Sequence, residues 1–408
     1  MRLVFVNYSS PRVRHVSGIR VWKFAETIAK RGHRVVVLTS SHGMEGDPGL
    51  PPASLCRELE GHDWSRPFHL LVPDPENRWL KGVAEGTVPK WIRAIIIAHA
   101  FTEHRGMFYP WVEAARKYLG EIVAHFAPDL VWATFGNTDS LHIGQSLAHA
   151  AGVPWVMDIK DGWDPFVPAP FRNLTARRFR DAARITSNSD FSAAVAHPWF
   201  PQPRTTVYSG VDPAFLNGVS RRLEDNEFRI VLSGGLYQEP VLKDFLDGLR
   251  SWLERLSASA RSHVTLAYAG AATDVLKRNL SAVNSLCEVE LHAYLPFPEF
   301  MGLIQSASVN TYLWLPATFH HKLIELLACD RPIIAFPGEH EESKAIAREV
   351  SGDLRCCETP ERLAAYLDCL WKHRSSLKPK VNLEVLSQFT WDAQAKNLFG
   401  VFDRALTK

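Results

Sequence analysis

Residues 309–336, VNTYLWLPATFHHKLIELLACDRPIIAF, decide the fold. The run 309–315 is apolar, β-branched and aromatic, the composition of a buried strand. Pro316 and Thr318 break it. Residues 319–329 then set Leu323, Ile324, Leu327 and Ala328 on helical spacing, and 332–336 reads as a second short strand. A buried strand feeding a helix through a tight loop sets that helix's free N–H groups at the carboxyl edge of a parallel sheet. Phosphate-bearing ligands bind there in doubly wound folds. Lys322, in the first turn, is placed to reach a phosphate. Glu325, nearly one turn later, can accept hydrogen bonds from ribose hydroxyls. Taken without context, the two residues fit an ordinary solvated helix face as well.

Outward from this stretch, the pattern repeats. A chain of 408 residues exceeds one ordinary core, so two domains are expected. With 46% hydrophobic and 22% charged residues, the composition is that of a soluble globular protein. Lys plus Arg is 46 and Asp plus Glu is 44, so no global field points at nucleic acid. The six cysteines lack CxxC spacing and, with no signal peptide at Met1, read as reduced cytosolic thiols. No apolar run is long enough to span a membrane.

In the first half, 3–7 is a buried strand, Gly18 opens a helix over 19–31, Gly32 caps it, and 35–39 is the next strand. The loop between strand and helix holds Arg12, Arg14, His15 and Ser17 near a helix N-terminus, a favourable setting for an anion. GxGxxG is absent, so a nicotinamide cofactor is not supported. Residues 43–75 read as an irregular surface excursion. Residues 79–107 place Trp79, Lys81, Lys90, Trp91 and Arg93 beside Ile95, Ile96 and Ile97. That pattern fits an amphipathic element on a bilayer or a helix buried in its own domain, with Pro89 interrupting it.

A helix over 111–126, a strand over 129–134, a helix over 140–151 and a strand ending at Asp161 follow. Asp158, Asp161 and Asp164 then lie at or beyond a strand's carboxyl end, a common place for functional carboxylates. No ligand set completes a cation site around them. Arg172, Arg177, Arg178, Arg180 and Arg184 form a basic cluster, either a solvated face or an attraction for anionic headgroups or a diphosphate. Strands are expected over 184–189 and 206–212.

Residues 217–227 read as a linker, after which the pattern restarts. Strand 228–235 enters a glycine pair where Gly235 lets the backbone approach a ligand. Helix 241–256, strands 264–270 and 289–293, and helix 296–306 lead back to the opening stretch, and helix 360–371 follows it. The tail 389–406 is an amphipathic helix able to pack on either domain.

In order along the chain, these pieces resemble the GT-B glycosyltransferases, and within them the retaining family 4. The resemblance spans essentially all of the sequence. WVEAARKYLGEIVAHFAPDLVWAT with PWVMDIKDGWDP is similar to the family's acceptor-domain pattern. YSGVD at Tyr208 to Asp212 is similar to its interdomain NGVD, with Ser209 in place of Asn. GGLYQ from Gly234 resembles its first donor-domain turn, and FHHKLIELLACDRPIIA resembles its donor signature. FTWDAQAKNL resembles the helix that crosses back to the N-terminal domain.

The resemblance implies an α/β, GT-B architecture of two Rossmann-like domains facing across a cleft. The implied division is an acceptor-binding domain over 1–216, a nucleotide-sugar-binding domain over 217–385 and a crossing helix over 386–408. It implies a cytoplasmic enzyme, peripheral at the inner face of the membrane, that moves a sugar from a nucleoside-diphosphate sugar to a lipid-linked or polysaccharide acceptor. Retention of configuration, surface-glycan assembly and independence of metal or other cofactor belong to the same implication. Glu325 matches the glutamate that binds the donor ribose. Lys322 and Thr318 lie beside it, Lys243 matches the cationic pyrophosphate contact, and Gly18 lets the N-terminal loop approach the donor phosphates. His15 and Asp161 are candidates for orienting the acceptor.

Two departures stand out. Ala317 occupies the place of an earlier glutamate in many members, and no arginine precedes Lys243 as the pattern asks. Three other readings remain open: transfer to a soluble natural product, a silent relative that binds a nucleotide sugar, and a sugar-nucleotide 2-epimerase.

Overall fold

A computed structural model describes residues 1–13, 15–44, 49–217, 227–374 and 380–407. Arg14 and most of the expected linker, 218–226, lie outside the described residues, as do 45–48 of the expected excursion. The chain divides into two compact units, Met1–Gly210 with Trp391–Lys408, and Val211–Thr390.

In the first unit the strands are β1 (Arg2–Val6), β2 (Arg34–Ser40), β3 (Phe68–Val72), β4 (Leu130–Phe135), β5 (Trp155–Ile159), β6 (Arg184–Ser187) and β7 (Arg204–Thr206). They pair in parallel in the order β3-β2-β1-β4-β5-β6-β7. Leu3 faces Val35 on one side and Leu130 on the other, so β1 is central. Apolar residues along both of its faces suit a strand covered from both sides. The helix Val16–Ala29 buries Val21, Phe24, Ala25 and Ile28. The terminal helix Trp391–Leu406 joins this core through Ala395, Leu398, Val401 and Phe402. Phe24 meets Trp391 edge-on at 5.2 Å, and Phe402 meets Phe5 at 6.0 Å. The tail therefore packs with the first unit, whereas its apolar stripe alone would suit either.

The second unit contains β8 (Phe228–Ser233), β9 (Val264–Ala269), β10 (Glu288–His292), β11 (Val309–Trp314), β12 (Ile333–Pro337) and β13 (Leu354–Cys356). Their parallel order is β10-β9-β8-β11-β12-β13. In each unit the order reverses beside the first strand, at β1/β4 and at β8/β11. Such a reversal opens a crevice at the carboxyl ends of the strands.

Several sequence expectations change. The excursion 43–75 contains a short helix, Leu55–Glu60, and the strand β3. Pro67 and Pro73 flank that strand and hid it, yet FHLLV pairs along β2 from Val36 to Ser40. The expected strand 206–212 is only the end of β7, because the chain leaves the sheet after Thr206. The helix expected over 319–329 is shorter, Lys322–Leu327. At its start Trp314 Nε1 donates to Thr318 O at 2.7 Å, holding the preceding residues as a loop. At its end Asp330 turns the chain away with φ +50°. The helix Lys90–His99 has no fully buried residue, yet Ile97 packs against the core of the first unit while Trp91 and Ile95 are exposed, and Pro89 stands at its N-cap. Among the described residues, no helix is long and apolar enough to cross a membrane.

Candidate active site

The second unit builds its site where β8 and β11 end side by side. Gly234 takes φ +104°, a conformation that favours glycine, and Tyr268 donates its hydroxyl to Gly234 O at 2.9 Å. A Cβ on Gly234 would lie 3.6 Å from both Cδ and Cε of Lys322, so the lysine stem runs across the turn. Lys322 Nζ sits 3.5 Å from Glu325 Oε2 and 4.6 Å from the centre of the Phe300 ring. With 21% of its side chain exposed, the ammonium is shielded enough for its charge to act strongly on a neighbour.

Beside this pair lies a cavity of about 210 Å³ lined by Tyr237, Gln238, Val241, Trp314, Leu315 and Thr318, among others. A Cβ on Gly235 would come within 2.5 Å of the Tyr237 ring, so a side chain there would displace that wall. His320 stacks on Trp314 at 4.1 Å with its Nδ1 buried and lacking a hydrogen-bond partner. Burial first, then Lys322, holds the His320 pKa well below the usual imidazole range, so the ring is neutral at physiological pH. Lys243 lies on the helix Glu239–Leu253 and pairs with Glu239 at 3.4 Å, with 61% of its side chain exposed. No contact gathers it with Lys322, although Val241 of its helix lines the cavity.

In the first unit a second cluster forms at the ends of β1, β4 and β5. His15 caps the helix Val16–Ala29, its Nδ1 accepting from Ser17 N at 3.2 Å. Gly18 follows in the first turn. A Cβ there would lie 2.5 Å from Ser10 O, so the loop after β1 can rest on the helix only over a glycine. Burial, then the Lys160 charge, lowers the His15 pKa, while Asp161 opposes the shift. Lys160 Nζ and Asp161 Oδ2 lie 2.5 Å apart. Gly136, just beyond β4, approaches both, since a Cβ there would lie 3.2 Å from Lys160 Nζ and 3.9 Å from Asp161 Oδ2. A neutral His15 whose Nδ1 accepts carries its proton on Nε2. It therefore offers a donor to a ligand, with Asp161 as a neighbouring acceptor. That is equipment for orienting a hydroxyl.

No protein-family profile and no curated protein sequence matches this chain. Solved structures do. The Anabaena HepE protein, crystallised with UDP and glucose, aligns with a TM-score of 0.63 at 14% identity, over 99% of both chains. Sucrose-phosphate synthase from Thermosynechococcus elongatus aligns with a TM-score of 0.69 at 13% identity, again over 99% of each. A UDP-forming trehalose-phosphate synthase from Burkholderia xenovorans gives 0.65 at 10% identity, over 100% of this chain and 99% of its own. The chain has the GT-B fold.

Within this GT-B chain, the structure brings Lys322 together with Glu325, close to Thr318 and the Gly234–Gly235 turn, and brings His15 together with Asp161. The three aspartates lie at or beyond the end of β5 as expected, but each has its own surroundings. Asp158 is buried inside β5, where Arg20 Nη2 meets its Oδ1 at 3.2 Å and Thr186 Oγ1 donates to it at 2.7 Å. Asp164 pairs with Arg172 at 2.9 Å, which also removes Arg172 from the supposed anion-attracting cluster. Among the described residues, no group of His, Cys, Asp and Glu is arranged to hold a metal.

Sequence reasoning missed Lys160, Tyr268, His320 and Asp139. Only Lys160 carried a local signal, standing directly before Asp161. Asp139 is fully buried under Gly106, with Phe108 N donating to its Oδ2 at 3.1 Å and its Oδ1 lacking a partner. Burial pushes its carboxyl up to about 7.

Proposed function

We propose that the chain is a retaining glycosyltransferase that takes a sugar from a nucleoside-diphosphate sugar. The observation that carries this reading is Lys322 lying across the Gly234 turn beside Glu325, at the β8/β11 reversal. Breaking the bond between the sugar C1 and the diphosphate oxygen leaves negative charge on the diphosphate. Lys322 stabilises that charge, with Lys243 as a second cation toward the same group, and Glu325 accepts hydrogen bonds from the ribose. Thr318 lines the adjoining cavity, and Gly235 leaves room for its Tyr237 wall. The new bond forms from an acceptor oxygen to C1 on the face the diphosphate leaves, and the acceptor's proton passes to a phosphate oxygen of the leaving group. No protein carboxylate pair is needed for that step.

The acceptor hydroxyl is oriented by His15 and Asp161 on the unit Met1–Gly210. The acceptor is lipid-linked or polymeric, as in bacterial surface-glycan assembly. This part of the reading draws support from the helix Lys90–His99, where Trp91 is 68% and Ile95 59% exposed beside Lys90 and Arg93. Such a face suits the interface of an anionic bilayer at its cytoplasmic side. The Anabaena protein's complex with UDP-glucose makes that the first donor to try.

The test is product analysis. The chain is incubated with UDP-glucose and then other nucleotide sugars, together with lipid-linked and soluble acceptors, and the anomeric proton of the product is read by NMR. Retention with a lipid-linked acceptor is expected. Inversion contradicts the mechanism, and transfer only to a soluble acceptor removes the membrane assignment. Donor binding without any transfer favours a silent relative, the reading that Ala317 supports.

A further inference from the structure

Apart from the cluster around Lys322, the second unit carries a groove of about 830 Å³ along one edge of its sheet. Its floor is β13, the last strand in the order, through Leu354, Arg355 and Cys356. The helix Glu341–Glu349 supplies one wall with Lys344 and Arg348. The helix Pro360–His373 supplies the other with Arg362 and Tyr366. Four cations therefore line one concavity against a single lining carboxylate, Glu358.

Glu358 is bound to Arg362, and Lys344 Nζ lies 2.8 Å from Glu341 Oε1. Among the described residues, Arg348 and Arg355 have no carboxylate within ion-pair distance. The Arg355 guanidinium instead lies 5.7 Å from the centre of the Tyr366 ring, whose hydroxyl donates to Asp353 at 3.2 Å. Like charges collected in a concave wall repel one another and focus a positive potential into the space they enclose. A multiply charged anion relieves that repulsion. Guanidinium forks match phosphate oxygens in pairs, and the Tyr366 ring adds an apolar face. The volume falls within the roughly 300–1,000 Å³ of small-molecule sites. An added peptide strand is disfavoured, because β13 offers a ladder of only three residues.

We propose that this groove binds a small molecule carrying two or more phosphates, at a place sharing no residue with the donor cluster. Titration calorimetry of the full chain with inorganic tripolyphosphate, at fixed ionic strength, tests it. Binding is expected in the wild type and in Lys322→Ala. In Arg348→Ala/Arg355→Ala the affinity is expected to fall at least about tenfold, ~1.4 kcal/mol. Both arginines are exposed, and an unchanged melting temperature of the unliganded double variant checks that its fold is intact. The single Arg355→Ala serves as the second variant, with a smaller loss expected. Unchanged affinity in both variants overturns the proposal, as does binding lost only in Lys322→Ala. Displacement of tripolyphosphate by a lower concentration of an oligo-glutamate peptide also overturns it, assigning the groove to a protein partner.

Discussion

Lys322 and Glu325 were legible in the sequence because both follow directly from a buried strand and a helical spacing. Their value as a site depends on Gly234, whose turn the lysine stem crosses. Glu325→Ala is expected to raise the donor KM, by about 2 kcal/mol in binding if a charged hydrogen bond to ribose is lost. Unchanged kinetics would remove Glu325 from the site. Lys322→Ala is expected to lower kcat more than Lys243→Ala, since Lys322 is the more shielded of the two. A larger loss at Lys243 would move the leaving group toward the helix Glu239–Leu253. The cluster of His15, Lys160 and Asp161 was half legible: two members were candidates, but only the sheet shows that they meet. Asp139 was not legible at all, since burial and the approach of Gly106 are tertiary facts. Its carboxyl, pushed up to about 7, holds a proton in the folded chain that the unfolded chain releases above about 4. Stability contributed at this site therefore falls as pH rises from about 4 to about 7. Asp139→Asn is expected to flatten that part of the urea stability profile, and an unaltered slope would contradict the assignment.

Among the elements, the strands with continuous apolar runs were the ones read correctly, because a central parallel strand is buried on both faces. β3 and β13 escaped notice because they are short edge strands, β3 flanked by prolines and β13 only three residues long. The short helix Lys322–Leu327 shows the opposite error, a spacing that ran on past residues held by other contacts. The helix Lys90–His99 carries its own prediction. Trp91→Ser/Ile95→Ser is expected to abolish flotation with anionic vesicles, and high salt is expected to weaken flotation of the wild type. Flotation equal to wild type in the double variant would place any membrane contact elsewhere.

For the whole molecule, the sequence conveyed a pair of Rossmann-like units through a repeated strand–glycine–helix pattern. The apolar stripe of the terminal helix suits either core, and only the family resemblance pointed it to the N-terminal domain. The structure answers through Leu398 and Phe402, both fully buried with Phe5 and Trp132. Each large side chain of that kind contributes roughly 1.5–3 kcal/mol on burial. A chain ending at Thr390 is therefore expected to lose protease resistance in the unit Met1–Gly210 while the unit Val211–Thr390 keeps its own. Equal resistance in both would show that the helix is dispensable.

Donor binding tests most directly whether the second unit holds a nucleoside-diphosphate sugar. Purified protein is melted with UDP-, GDP-, ADP- and dTDP-sugars, without added metal. Ligand at ~100 times its Kd stabilises a fold by about 2.7 kcal/mol, enough to raise the melting point by several degrees. Such a rise is expected with one nucleotide class, lost in Glu325→Ala. No shift with any donor at millimolar concentration, or a shift that survives that substitution unchanged, would contradict it.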